Sequence, residues 1–103
     1  MNKVELISYP NQQFSIDVDN NRYDLSIKDC DGFMVIDIVC NNQIIVKGQR
    51  LLPGIPLIPY LYREQGNFLL VTEKEELADW QKFNISQFLY FIANSELAEI
   101  RSD

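Results

Sequence analysis

The chain contains no histidine, and its 103 residues include only two cysteines, four glycines and four prolines. Each shortage closes off a class of chemistry. Without histidine there is no ordinary general base near neutral pH, no usual triad base and no favoured zinc ligand. Cys30 and Cys40, alone and without histidine, make a poor metal site. No glycine-rich loop follows an apolar strand, so a phosphate cradle is not expected. No apolar run approaches the ~18–20 residues of a membrane span, and Met-Asn-Lys-Val-Glu-Leu lacks the apolar region of an export signal. Synthesis in a cytoplasm and two free thiols are therefore expected.

Basic residues are also scarce. Lys and Arg total nine against fifteen Asp and Glu, a formal net charge of −6. The imbalance is concentrated late in the chain, where residues 64–103 carry eight acids and three bases. Gripping a phosphate backbone needs clustered Lys and Arg, so no nucleic-acid partner is expected. Asp17-Val18-Asp19-Asn20-Asn21 resembles the start of a calcium loop. However, Arg22 stands where that loop needs glycine and Lys28 where it needs a bidentate glutamate. These acids read as solvated turn carboxylates. Glu75 and Glu76 form an acid pair, but nothing in the sequence places them in a cleft. No catalytic residue, cofactor site or metal site is expected, nor enzymatic activity.

What is present is a β pattern, in a composition that is 47% hydrophobic. Phe14 to Cys40 reads as a three-stranded antiparallel meander. A turn at Asn20-Asn21 sets Val18 opposite Tyr23, Ile16 opposite Leu25 and Phe14 opposite Ile27. A second turn at Asp31-Gly32 sets Ile27, Leu25 and Tyr23 opposite Ile36, Ile38 and Cys40. All these apolar side chains then share one face, and a one-residue slip would turn them to water. Asn tolerates left-handed backbone, and Asp-Gly is a strong hairpin signal. The same register separates Cys30 from Cys40 and puts them on opposite faces. The third strand also carries Phe33, Val35 and Val39 on its other face. That predicts a second sheet, a returning segment or a partner chain over its back.

Val4 to Ser8 reads as a first strand ended by Tyr9-Pro10-Asn11, and Gln43 to Gly48 as a strand after an Asn41-Asn42 turn. Leu51 to Tyr60 holds Pro53, Pro56 and Pro59, which exclude a central strand or a helix. Its Leu51, Leu52, Ile55, Leu57 and Ile58 are more apolar than a connector needs. Two readings stand: a crossover plugging one end of the fold, or an exposed docking segment. Leu57 to Tyr62 and Phe68 to Thr72 read as strands. Glu73 to Asp79 reads as a helical turn or a mobile loop. Ile85 to Ala93 fits a closing strand better than a helix, followed by a helical turn over Ser95 to Ile100. The whole chain, 1–103, is expected to be one β-domain. Its fold class is all-β and mainly antiparallel: a small sandwich or partly open barrel built on the meander, with at most a short helical turn near the C-terminus.

Four stretches stand in order along the chain: Ile7-Ser8-Tyr9-Pro10-Asn11-Gln12-Gln13-Phe14-Ser15-Ile16 with Tyr23-Asp24-Leu25, then Gly32-Phe33-Met34-Val35-Ile36-Asp37-Ile38. Ile45-Val46-Lys47-Gly48-Gln49-Arg50-Leu51 follows, then Phe88-Leu89-Tyr90-Phe91 with Glu96-Leu97. In this order they resemble the small phage baseplate plug family. The resemblance implies a non-enzymatic part of a contractile tail, made in the host cytoplasm and residing in the virion baseplate. Such a plug sits on the tail axis and closes or bridges the tube end at the hub. Its partners would be hub, tube or spike proteins or further copies of itself, with no nucleic acid, membrane or cofactor. Candidate contact residues are Phe33, Leu51, Leu52, Ile55, Leu57, Ile58 and Tyr60, with Tyr62 and Trp80 as further aromatics. Two other classes stay open: an acidic inhibitor mimicking nucleic acid, and an OB-like binding module. Charge opposes the second, since single-strand binders need a positive groove.

Overall fold

The computed structural model describes residues 2–58 and 66–93. Two antiparallel sheets face each other. One has β2 (Gln12–Val18), β3 (Asn21–Asp29), β4 (Met34–Cys40) and β5 (Gln43–Arg50) in sequential order. The other has the order β1-β7-β6, from β1 (Asn2–Val4), β6 (Asn67–Thr72) and β7 (Gln87–Ile92). The fold is all-β and antiparallel, with no closed barrel and a single short 3-10 turn, Trp80–Lys82, among the described residues.

The meander forms because its turns supply left-handed backbone where two-residue hairpins need it. Asp19 and Asn20 have φ of 52° and 63°, and Asn41 and Asn42 have φ of 50° and 68°. The β3–β4 register is the expected one, with Tyr23, Leu25 and Ile27 opposite Cys40, Ile38 and Ile36. The first hairpin differs. Its turn is Asp19-Asn20, so Ile16 pairs with Tyr23 and Phe14 with Leu25, two residues from the expected register. An even shift preserves the faces, which is why the apolar set still points inward. The shift frees Asn21 and Arg22 to hold the neighbouring turn. Asn41 Nδ2 donates to Asn21 Oδ1 at 2.8 Å, and Arg22 N donates to Asn41 Oδ1 at 2.9 Å.

The core lies between the sheets. Tyr23 of β3 meets Phe68 of β6 and Phe91 of β7, with ring centroids 5.2 and 5.5 Å apart, and all three rings are essentially inaccessible to solvent. Burial pushes the Tyr23 phenol well above its ordinary range. Cys40 is buried and Cys30 exposed, and both thiols are free. Gly66 leads into β6 at φ 94°, where an added Cβ would lie 2.6 Å from Phe91 Cζ, so only glycine fits.

Several expected elements differ. The first strand is Asn2–Val4; Glu5 to Ser8 leaves the sheet. There Gln12, almost buried, uses its amide to bond Ile7 N–H and Ile7 C=O, replacing ladder partners. Leu57 and Ile58 are bends, and 59–62 lie outside the described residues. Glu73 to Asp79 is irregular, and the helical turn comes after it, where the Asp79 carboxylate accepts from Gln81 N. The closing strand is Gln87–Ile92. The expected helical turn over Ser95 to Ile100 lies outside the described residues. Finally, the second sheet packs on the inner face of β4, not on its back. Val35 and Val39 are half-buried there, while Lys28 reaches Asp37 at 3.8 Å and Arg50 lies over the Phe33 ring at 5.1 Å.

Candidate protein-protein interface

The proline-rich stretch is placed by β6. Gly54 N donates to Leu70 O and Leu57 N to Phe68 O, each at 2.9 Å, so 53–58 runs along the edge of that strand. Asn67 fastens its end. The buried carboxamide accepts from Ile58 N at 2.7 Å and from Phe68 N at 2.8 Å, and donates to Ile58 O at 3.0 Å.

This path decides which expected contact residues reach the surface. Leu51, Leu57 and Ile58 point into the core and are 2–3% exposed. Leu52 is half-buried, and Ile55 is exposed at 54%. Phe33, on the β3–β4 turn, is 42% exposed. Tyr60 and Tyr62 lie outside the described residues, and Trp80 is partly buried against the core. One side of the segment thus packs into the fold, while Ile55 on the other side faces solvent.

Two open grooves extend that surface, and they share Glu76 and Leu77. One, of about 630 Å³, is walled by Pro53, Gly54, Val71 and Leu77. The other, of about 390 Å³, runs from Phe33 past Leu77 to Trp80. Leu77 is 59% exposed, although it sits among Glu73, Glu75, Glu76 and Asp79. Glu76 is fixed by Lys82 Nζ at 2.6 Å, and this bond holds its carboxyl below the usual range. An acidic rim thus surrounds apolar anchors.

Sequence reasoning missed Leu77 and the outer face of the smaller sheet. Leu69 and Val71 pair there with Tyr90 and Phe88, and none of the four is fully buried. The signal was available: Phe68 to Val71 and Phe88 to Ile92 are apolar at both parities, the mark of a strand with two apolar faces.

Among the described residues, no group of three or more Cys, Asp or Glu side chains is placed to hold a metal ion. Nor is any helix there long and apolar enough to cross a membrane. The fold is all-β, with apolar side chains such as Ile55, Leu77 and Phe33 exposed on its surface. The chain belongs to the cyanophage baseplate Pam3 plug gp18 family, whose model matches residues 1–95. It is a phage baseplate plug component, an all-β part of the virion tail, and its family is structural. No curated protein matches it.

Proposed function

We propose that the protein, as a single domain and without catalysis, closes or bridges the tail axis at the baseplate hub by binding hub, tube or spike proteins. The contact runs over Phe33, Leu52 and Ile55, with Val71 and Leu77 beside them. Leu51, Leu57 and Ile58 hold the segment in shape from beneath, and Tyr60 continues it beyond the described residues. One observation carries this reading: the two grooves meet at Leu77, joining the proline-rich segment to Phe33 as one strip whose apolar side chains stand among Asp29, Glu75, Glu76, Asp79 and Lys82. Exposed apolar side chains rimmed by polar ones mark contact sites. The prolines and Asn67 fix the backbone in advance, so little conformational entropy is lost on docking.

The test is co-purification with the neighbouring hub and tube proteins, comparing wild type with Ile55→Asp and Leu77→Asp. Each anchor would bury about 1.5–3 kcal/mol of side chain, so each variant should bind at least about tenfold more weakly while melting like wild type. Folded variants that bind as well as wild type would show the strip is not the contact. A tight complex with a nucleic-acid-processing enzyme, and none with a tail protein, would favour the acidic mimic.

A further inference from the structure

The four-stranded sheet has two edges, and they are built differently. β5 is blunted. Its pairing with β4 shifts register between Ile36 and Ile38 and again before Val39, and Gly48 sits at φ 65°. Lys47 and Arg50 project from it, exposed. Irregular register and charged side chains are the devices that keep a further strand from adding. β2 has neither. Its seven residues pair with β3 in unbroken register, and Gln-Gln-Phe-Ser-Ile-Asp-Val contains no proline, glycine or basic residue.

Hairpin geometry fixes which backbone groups of β2 are open. The two-residue turn closes on Val18 and Asn21, so Val18, Ile16, Phe14 and Gln12 direct their N–H and C=O groups at β3. Gln13, Ser15 and Asp17 direct theirs outward. Among the described residues, no strand pairs with this edge and no backbone group bonds to it. Behind the edge, a cleft of about 470 Å³ opens between β1 and β2, lined by Val4, Phe14, Ile16, Val18 and Phe91. A strand added there would complete hydrogen bonds and cover apolar surface at once.

We propose that β2 pairs antiparallel with β2 of a second copy, across a two-fold axis at Ser15. Ser15 then faces Ser15, Gln13 faces Asp17, and Phe14 faces Ile16. The outward groups form about six N–H···O=C bonds between copies. Phe14 and Ile16 of each copy extend over the other's cleft. β2's own sequence selects this register. Centring on Asp17 would set two carboxylates opposite each other. Centring on Gln13 would run the partner strand off the end of β2 onto the bend at Pro10 and Asn11, where the backbone no longer follows the strand. Centring on Ser15 places the strand's one charge opposite a neutral amide and every apolar side chain on the inner face. This contact lies on a different flank from the docking strip and stands independently of it.

Analytical ultracentrifugation of the full chain tests it. Wild type should form a dimer, strengthened by added salt because each copy carries a net charge of −6. Ser15→Pro removes an N–H that points to solvent in the monomer, and should raise the dimer dissociation constant at least tenfold. Ser15→Ala should leave it unchanged. A second measurement does not depend on the proline variant folding. On a Cys30→Ser background, Ser15→Cys should cross-link to its own copy on mild oxidation, and Gln13→Cys should not. A wild type that stays monomeric, a dimer that survives Ser15→Pro, or equal cross-linking at the two positions would overturn the proposal.

Discussion

The two flanks of the sandwich meet solvent in opposite ways. On one flank the chain leaves β5, crosses beneath Met34 and runs along β6, with Leu51, Leu57 and Ile58 packed inward. Asn67 fastens the end of that path with three hydrogen bonds. On the other flank β1 and β2 stand apart, and Phe14, Ile16 and Val18 are only half-buried. Both flanks end in apolar side chains, so hydrophobicity does not separate them. The separation comes from covalent connection. A crossover between the sheets supplies the cover on one side, and no described segment does so on the other. An interior left open in this way is completed by whatever chain next brings a strand to it.

The largest test of that contrast is a charge placed on each flank. Ile58→Asp buries an unpaired carboxylate under the crossover and should cost several kcal/mol in urea denaturation. Ile16→Asp lies beside the open cleft, where water reaches the carboxylate, and should cost about 1–2 kcal/mol. Equal losses would mean that the two flanks are sealed alike.

Asn67→Ala sharpens the same point. It strips partners from Ile58 N–H, Ile58 C=O and Phe68 N–H, all in buried surroundings, and should cost about 3 kcal/mol by thermal unfolding. A loss below about 1 kcal/mol would mean the crossover holds without its fastening. Next in size is the pair Leu57→Ala and Ile16→Ala. The first should cost about 2–5 kcal/mol, the second roughly half as much, because its surroundings already lack part of their packing.

The smallest effect concerns the rim of the docking strip. The Lys82 ammonium holds the Glu76 carboxyl below its ordinary value of 4.5. A carboxyl depressed on folding stabilises the fold above its unfolded value, and that contribution is lost as pH falls through the folded one. Glu76→Gln should therefore flatten the fall in melting temperature on the acid side of about pH 4.5 and leave neutral pH little changed. An acid limb as steep as that of wild type would show that this pair does not govern it.

Much of the larger sheet could be read from residues close in sequence. Alternation from Phe14 to Cys40 marks the inner face, and Asp31-Gly32 sets the β3–β4 register because a two-residue loop leaves one pairing. The first turn was harder, since Asp19, Asn20 and Asn21 all accept turn geometry. Asn21 is drawn into the strand by Asn41, twenty residues away. The candidate interface was half legible. An apolar, proline-rich stretch is visible, but alternation cannot divide Leu51, Leu57 and Ile58 from Ile55 when the backbone is irregular. Leu77 was hidden in a run of acids.

By itself the sequence determined the all-β class, the inward faces of β2, β3 and β4 and the separation of the two thiols. These follow from side-chain period, turn chemistry and composition, which act between near neighbours. Only the tertiary structure decided that β7 lies between β1 and β6, that 53–58 covers one flank and that the edge of β2 stands open. Those outcomes depend on which distant apolar surfaces bury one another. Tyr23, Phe68 and Phe91 meet from three separate stretches, and no local pattern in any one of them names the other two.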